Sequence, residues 1–184
     1  MKATLLAVVV GIQISWVLAI AGFHDRAVRE GTVILVETVP VDPRDLLRGD
    51  FVRVGYEFSS LTGGEFTPAV NDPSWFRRGT PVYVELAREA DGPFHRRIRV
   101  SREPMEVAPG NVLLKGRVAW VGGSSTNFTV RAEYGVEQYY VAEGTGTPPA
   151  EKKMTAELSV SGRGQARLKA VYLDGRPYAE AMRE

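Results

Sequence analysis

Residues 32–56 read TVILVETVPVDPRDLLRGDFVRVGY, and the way this stretch divides sets the fold. Residues 32–39 (TVILVETV) are a strong β-branched run, the pattern of a strand. Residues 51–56 (FVRVGY) alternate, with Phe51, Arg53 and Gly55 on one face and Val52, Val54 and Tyr56 on the other. From 40 to 56 the chain holds three Asp, three Arg, two Pro and two Gly, a denser set of demanding residues than a plain surface loop needs. Asp42-Pro43 reads as a turn or helix entry, after which residues 43–47 would form a single helical turn capped by Asp42 and stopped by Gly49. Arg44, Asp45, Arg48 and Asp50 stand close enough in sequence to pair. Each exposed pair is worth about 0–1 kcal/mol. One reading is thus a rigid corner knitted by local charges; the other is a docking surface for a partner. The tripeptide Arg48-Gly49-Asp50 recurs by chance in many chains, and nothing else here supports integrin binding.

Working toward the N-terminus, residues 3–23 carry no charge. As a helix they would extend about 31 Å, which matches a bilayer's hydrocarbon core. Lys2 precedes them, and His24, Asp25, Arg26, Arg29 and Glu30 follow, so the cationic count alone does not set orientation. The short N-terminal tail favours a signal-anchor with the C-terminal domain outside the cytoplasm. The rival is a cleaved signal peptide, because Ala19-Ile20-Ala21 fits the small-residue cleavage pattern. Ala3, Ala7, Gly11, Ser15 and Ala19 recur every four residues and would form one stripe of small side chains for packing against another membrane helix. Gln13 adds an amide that would seek an interhelical partner.

Working toward the C-terminus, the pattern stays β. Residues 82–87, 94–101, 112–121, 128–134, 158–161 and 166–173 read as strands. Turn signals separate them at Ala90-Asp91-Gly92-Pro93, Gly122-Gly123-Ser124, Gly162-Arg163-Gly164 and Asp174-Gly175. One helix is expected over residues 148–157, with Thr147 as N-cap, Pro148 at the first helical position and Glu151 in the first turns.

Composition bounds the function. The chain has 184 residues, no cysteine and net charge +1. A disulfide scaffold, thiolate catalysis and cysteine-ligated metal are excluded, and no bulk field draws the chain to nucleic acid. With only His24 and His95, a multi-histidine metal site is excluded as well. There is no P-loop, no dinucleotide fingerprint, and no Ser-Met-x-Pro box of a membrane signal peptidase.

Residues 134–146 place Glu137 and Glu143 among Tyr134, Tyr139 and Tyr140, ahead of a Gly-Thr-Gly loop. Two carboxylates can serve acid–base work or a hard cation; the plainer reading is a strand running into a loop with packed tyrosines. If this region meets residues 42–50 in space, a shared polar groove follows. His95, Arg97 and Arg99 share one face of a basic strand, and Trp75-Phe76-Arg77-Arg78 mixes aromatics with cations; anionic headgroups or plain solvent would suit both. Asn127-Phe128-Thr129 is a formal glycosylation acceptor that also reads as a turn edge.

The segment Gly49-Asp50-Phe51-Val52-Arg53-Val54-Gly55-Tyr56 resembles the signature of the GDYXXLXY membrane-protein family. Gly49, Asp50 and Tyr56 match; Phe51 stands for the signature's Tyr and Val54 for its Leu. The preceding Pro-Val-Asp-Pro-Arg-Asp-Leu-Leu-Arg, the N-terminal span and residues 134–144 also resemble that family. The resemblance implies a bacterial single-span protein working beside a multi-span membrane protein.

The expected fold is mainly β: an N-terminal transmembrane helix (1–23), a juxtamembrane linker (24–30) and an extracytoplasmic domain (31–184) built as an antiparallel β sandwich or partly open barrel with one short helix. The expected role is a non-enzymatic accessory or structural subunit of a polytopic membrane protein, in the bacterial inner membrane, with the β domain periplasmic or extracellular and no cofactor or nucleic acid. The partner or motif candidates are Asp42, Arg44, Asp45, Arg48, Gly49, Asp50, Tyr56, Glu137, Tyr139 and Glu143, and the membrane-helix packing candidates are Ala7, Gly11, Ser15 and Ala19. The alternative is an extracytoplasmic hydrolase or ligand-binding module using Asp50, Glu137 and Glu143.

Overall fold

Beyond residue 31 the apolar residues recur with a period near two, and the chain folds accordingly as strands. The computed structural model describes residues 2–29, 31–40, 51–124, 127–141, 148 and 152–183. A helix, α1 (Lys2–Arg29), is followed by β1 (Thr32–Pro40), β2 (Phe51–Tyr56), β3 (Ser60–Thr62), β4 (Pro81–Arg88) and β5 (His95–Ser101). Then come β6 (Val112–Gly123), β7 (Phe128–Glu133), β8 (Gln138–Tyr140), β9 (Met154–Val160), β10 (Ala166–Leu173), β11 (Arg176–Pro177) and a closing one-turn helix, α2 (Tyr178–Ala181). Three short 3-10 turns lie at Glu57–Ser59, Gly63–Glu65 and Pro73–Trp75.

The strands form two antiparallel sheets. One has six strands in the order β11-β10-β9-β1-β2-β8, and the other has five in the order β3-β7-β6-β4-β5. Strand β1 changes partner along its length: Thr32 to Glu37 pair with β9, and Thr38 to Pro40 pair with β2. Both sheets bury one face in the same core. Ile34, Val54, Ala156 and Leu158 come from the first, and Val84, Leu86, Leu114 and Val130 from the second. Each fully buried Val, Leu or Ile side chain contributes about 1.5–3 kcal/mol relative to exposure, so this shared layer is the main favourable term.

The alternation expected for 51–56 holds in part: Val52, Val54 and Tyr56 are buried and Arg53 exposed, but Gly55, expected on the Arg53 face, is buried as well. The hairpin expected at Gly122 joins β6 to β7, and the Asp174-Gly175 turn joins β10 to β11 with φ of 51° and 80°. Among the described residues of 148–157 the expected helix is not formed. Residues from Met154 onward form β9, held between β1 and β10 in the centre of the first sheet. Met154, Ala156, Leu158 and Val160 are buried. Helix propensity differs among ordinary residues by only about 0.7 kcal/mol or less, which two flanking ladders and a buried face readily outweigh. The short helix of the domain is instead α2, at the C-terminus.

Among the described residues, no helix is long and apolar enough to cross a membrane. The span expected over residues 3–23 is therefore not established as a transmembrane helix. Helix α1 has 28 residues and runs on through the expected linker to Arg29.

Candidate functional site

The two dense regions of the sequence meet. Strand β2 pairs with β8 in the register Phe51 with Tyr140, Val52 with Tyr139 and Arg53 with Gln138. The ladder is extended by the Val54 amide, which donates to the Glu137 carbonyl at 2.8 Å. Above it the chain turns tightly at residues 134–137. Gly135 takes φ of +80°, which the turn requires and an L side chain resists. The Glu137 carboxylate closes this turn, accepting from the Tyr134 amide and, at 2.9 Å, from the Gly135 amide. Two successive amides aimed at one carboxylate neutralise part of its charge.

Two tyrosines lock the turn to the core in reciprocal fashion. The Tyr56 hydroxyl donates to the Val136 carbonyl at 2.7 Å, and the Tyr134 hydroxyl donates to the Phe58 carbonyl at 2.7 Å. The Phe58 ring stacks on Tyr56 at 5.0 Å and meets Tyr134 edge-on at 5.2 Å. Burial, with the Glu137 charge nearby adding to it, pushes the Tyr56 hydroxyl far above its ordinary range. Burial does the same to Tyr134, the Arg97 charge opposing and the Glu137 charge adding. Both stay protonated and stay donors. The Tyr134 ring also covers Gly116 of β6, where an added Cβ would fall 2.7 Å from a ring carbon.

A cleft of about 290 Å³ opens beside this lock, lined among others by Arg53, Ser59, Arg131, Glu133, Glu137 and Gln138. It lies between β2 and the turn on one side and β7 on the other. Ser59 is only 2% exposed, and its hydroxyl has no hydrogen-bond partner among the described residues. Leaving a hydroxyl buried and unpaired costs about 1–3 kcal/mol. Arg53 and Arg131 are exposed; Arg131 Nη1 reaches the Ser60 hydroxyl at 3.5 Å, the outer limit of a hydrogen bond. Chemically the cleft offers two arginines to an acceptor-rich ligand, with the closed-off Ser59 hydroxyl in its wall. Both oxygens of Glu137 are already engaged by amides, which disfavours it as an acid–base group.

The remaining sequence candidates are distributed as follows. Asp42, Arg44, Asp45, Arg48, Gly49, Asp50 and Glu143 lie outside the described residues. Tyr139 is half-buried, with its ring edge-on to Tyr178 at 5.8 Å. Phe51, at the signature's tyrosine position, meets the Tyr140 ring at 6.3 Å. Gly11, Ser15 and Ala19 are exposed on α1, and nothing lies within 4 Å of where a Gly11 Cβ would be; the side chain of Ala7 is outside the described set.

The basic strand β5 is largely spent on ion pairs. Arg97 holds Glu65 at 2.6 Å and the Ser60 carbonyl at 2.9 Å. Arg99 holds the buried Glu85 at 2.8 Å, and Glu85 also accepts from the Asn111 amide at 2.7 Å and the Ala108 N–H at 3.2 Å. Arg96 joins Glu37, Glu57 and Glu89. Burial holds the His95 imidazole below its ordinary pKa, with the Arg88 charge adding to this and a hydrogen bond to the Leu35 backbone opposing it. Trp75 is exposed under the Arg102 guanidinium, 4.4 Å from its centroid, while Phe76 packs on Phe66 and Phe128. Asn127 is a turn edge, its amide donating to the Ser124 hydroxyl. Among the described residues, no group of three or more His, Cys, Asp or Glu is placed to hold a metal ion.

Two curled antiparallel sheets over one core, led by a long helix uncharged over residues 3–23 and closed by a buried tyrosine lock, define a β-rich domain behind an N-terminal helix. The family model for GDYXXLXY protein matches residues 13–171, and the chain belongs to that family. No curated protein and no solved structure matches it.

Proposed function

We propose that the protein is a membrane-anchored accessory subunit: α1 sits in a bilayer against a helix of a polytopic membrane protein and holds the β domain outside the cytoplasm. The observation that carries this reading is the surface of α1. Leu6, Ile12, Trp16 and Leu18 are each more than 60% exposed, and they point to different sides of the helix. A helix that docks on a water-facing groove keeps a polar face; one that is apolar all round needs an apolar solvent. Residues 3–23 contain no charge, so the same character continues beyond the described side chains. The four-residue spacing of Ala7, Gly11, Ser15 and Ala19 would let a partner backbone approach closely.

The test has two arms. The full chain expressed in a bacterium should stay in the membrane fraction after alkaline carbonate washing; release by the wash overturns the anchor. A photo-crosslinking residue at Gly11 or Ser15 should capture a polytopic membrane protein, and the double variant Gly11→Leu, Ser15→Leu should lose that adduct. An adduct that survives the double variant overturns the packing stripe.

A further inference from the structure

We propose that the cleft between β2 and β7 binds a small molecule bearing an oxyanion, a carboxylate or a phosphate, gripped by Arg53 and Arg131 with the Ser59 hydroxyl as a third donor. The proposal does not depend on membrane anchoring. Three observations converge on it. Arg96, Arg97 and Arg99 all spend their guanidinium groups on carboxylates, whereas Arg53 has no side-chain partner among the described residues and Arg131 makes only a marginal contact. Guanidinium forks without a carboxylate of their own, facing one cleft, are suited to a planar or tetrahedral oxyanion taken in bidentate fashion.

The second observation is Ser59. A buried hydroxyl without a partner is rare in a folded domain and calls for a reason. This one lines the cleft that the two arginines line. Its Oγ is closed off from solvent in the empty protein, so an oxygen atom seated in the cleft pairs with it only after a small shift of the cleft wall. The third is the balance of charge. Glu137 would repel an anion, but backbone amides hold both of its oxygens. Glu133 also lines the cleft and is exposed, so it can accept from a hydroxyl or amino group on the same ligand. The volume of about 290 Å³ stands at the small end of ligand pockets. The ligand expected is therefore a short hydroxy or amino acid, or a small phosphate compound.

Isothermal titration of the full chain in detergent micelles at low salt decides the matter, with inorganic phosphate and lactate as separate probes. Saturable one-site binding of either supports the site, and the probe that binds names the oxyanion. Arg53→Gln and Arg131→Gln should each weaken binding at least tenfold, while Arg77→Gln, outside the cleft, should leave it unchanged. Ser59→Ala should weaken binding several-fold without lowering the melting temperature, because it removes a hydroxyl that has no partner in the empty protein. If Arg131→Gln fails to fold, Arg131→Lys keeps the charge without the fork and should still lose affinity. Binding of neither probe, or affinity unchanged in both arginine variants, overturns the proposal.

Discussion

The Tyr56 hydroxyl donates to the Val136 carbonyl at 2.7 Å, across 80 positions of sequence and within the core. Its counterpart, Tyr134 to the Phe58 carbonyl, runs the opposite way between the same two segments. The terminal tyrosine of the family signature is thus a structural tie. It fixes the turn at residues 134–137, and that turn forms one wall of the cleft.

Tyr56→Phe should therefore cost about 1–3 kcal/mol, because it keeps the ring and orphans a buried carbonyl. Urea unfolding measures this, and a loss below about 0.5 kcal/mol, the range of an ordinary surface substitution, would refute the tie. Adding Tyr134→Phe should give a sum that departs from additivity, since both bonds join the same segments.

The same pair bears on alkaline stability. Burial raises both hydroxyls above their ordinary value of 10.0. A raised folded pKa means that its stability is fully present below pH 10 and drains away as pH climbs toward the folded value. In a spectrophotometric titration of the tyrosines, these two should ionise only together with unfolding. Their ionisation in a still-folded chain would contradict the burial.

Glu85 makes the corresponding acid prediction. Burial opposes its charge, but Asn111, Ala108 and Arg99 together overcome this and hold its carboxyl below the ordinary 4.5. Its contribution is complete above about pH 4.5 and is lost as pH falls through the folded value. Glu85→Gln should cost about 1–3 kcal/mol at pH 7. The gap from the unsubstituted chain should shrink below pH 4.5; a gap that stays constant down to pH 3 would contradict the assignment.

Gly116→Ala should destabilise by about 1–3 kcal/mol, since the new methyl group meets the Tyr134 ring and forces it or β6 to move. Near-ultraviolet circular dichroism should change with it. A variant with unchanged stability and an unchanged tyrosine signal would show that the ring is free to give way.

Glu137→Gln separates structure from chemistry in the turn. An amide side chain has one acceptor oxygen where the carboxylate has two, so one of the Tyr134 and Gly135 amides loses its partner. The expected cost is about 1–2 kcal/mol, seen as a lower midpoint in urea. An unchanged midpoint would free Glu137 for another role.

Several elements were legible from local pattern alone. The alternation in residues 51–56 placed Val52, Val54 and Tyr56 inward because a half-buried strand has a period of two. The Asp174-Gly175 and Gly122-Gly123 turns declared themselves because few residues tolerate the backbone that tight turns need. Residues 154–157 misled. Helix signals upstream of Met154 are local and weak, and the burial of β9 between two other strands is not local at all.

The cleft was less legible still. Glu137 and Arg53 stood out as charges, but Ser59 and Arg131 carry no motif and lie 72 positions apart. By itself the sequence determined a cysteine-free, mainly β chain of the GDYXXLXY family with an N-terminal stretch uncharged over residues 3–23, because period, turn chemistry and composition are properties of neighbours. The tertiary structure alone decided that Tyr56 reaches Val136, that Arg97 and Arg99 are consumed in ion pairs while Arg53 has no such partner among the described residues, and that a buried serine lines the same cleft as two arginines. Those are relations between residues far apart in the chain. They come into being only when strand register and the packing of two sheets bring side chains together.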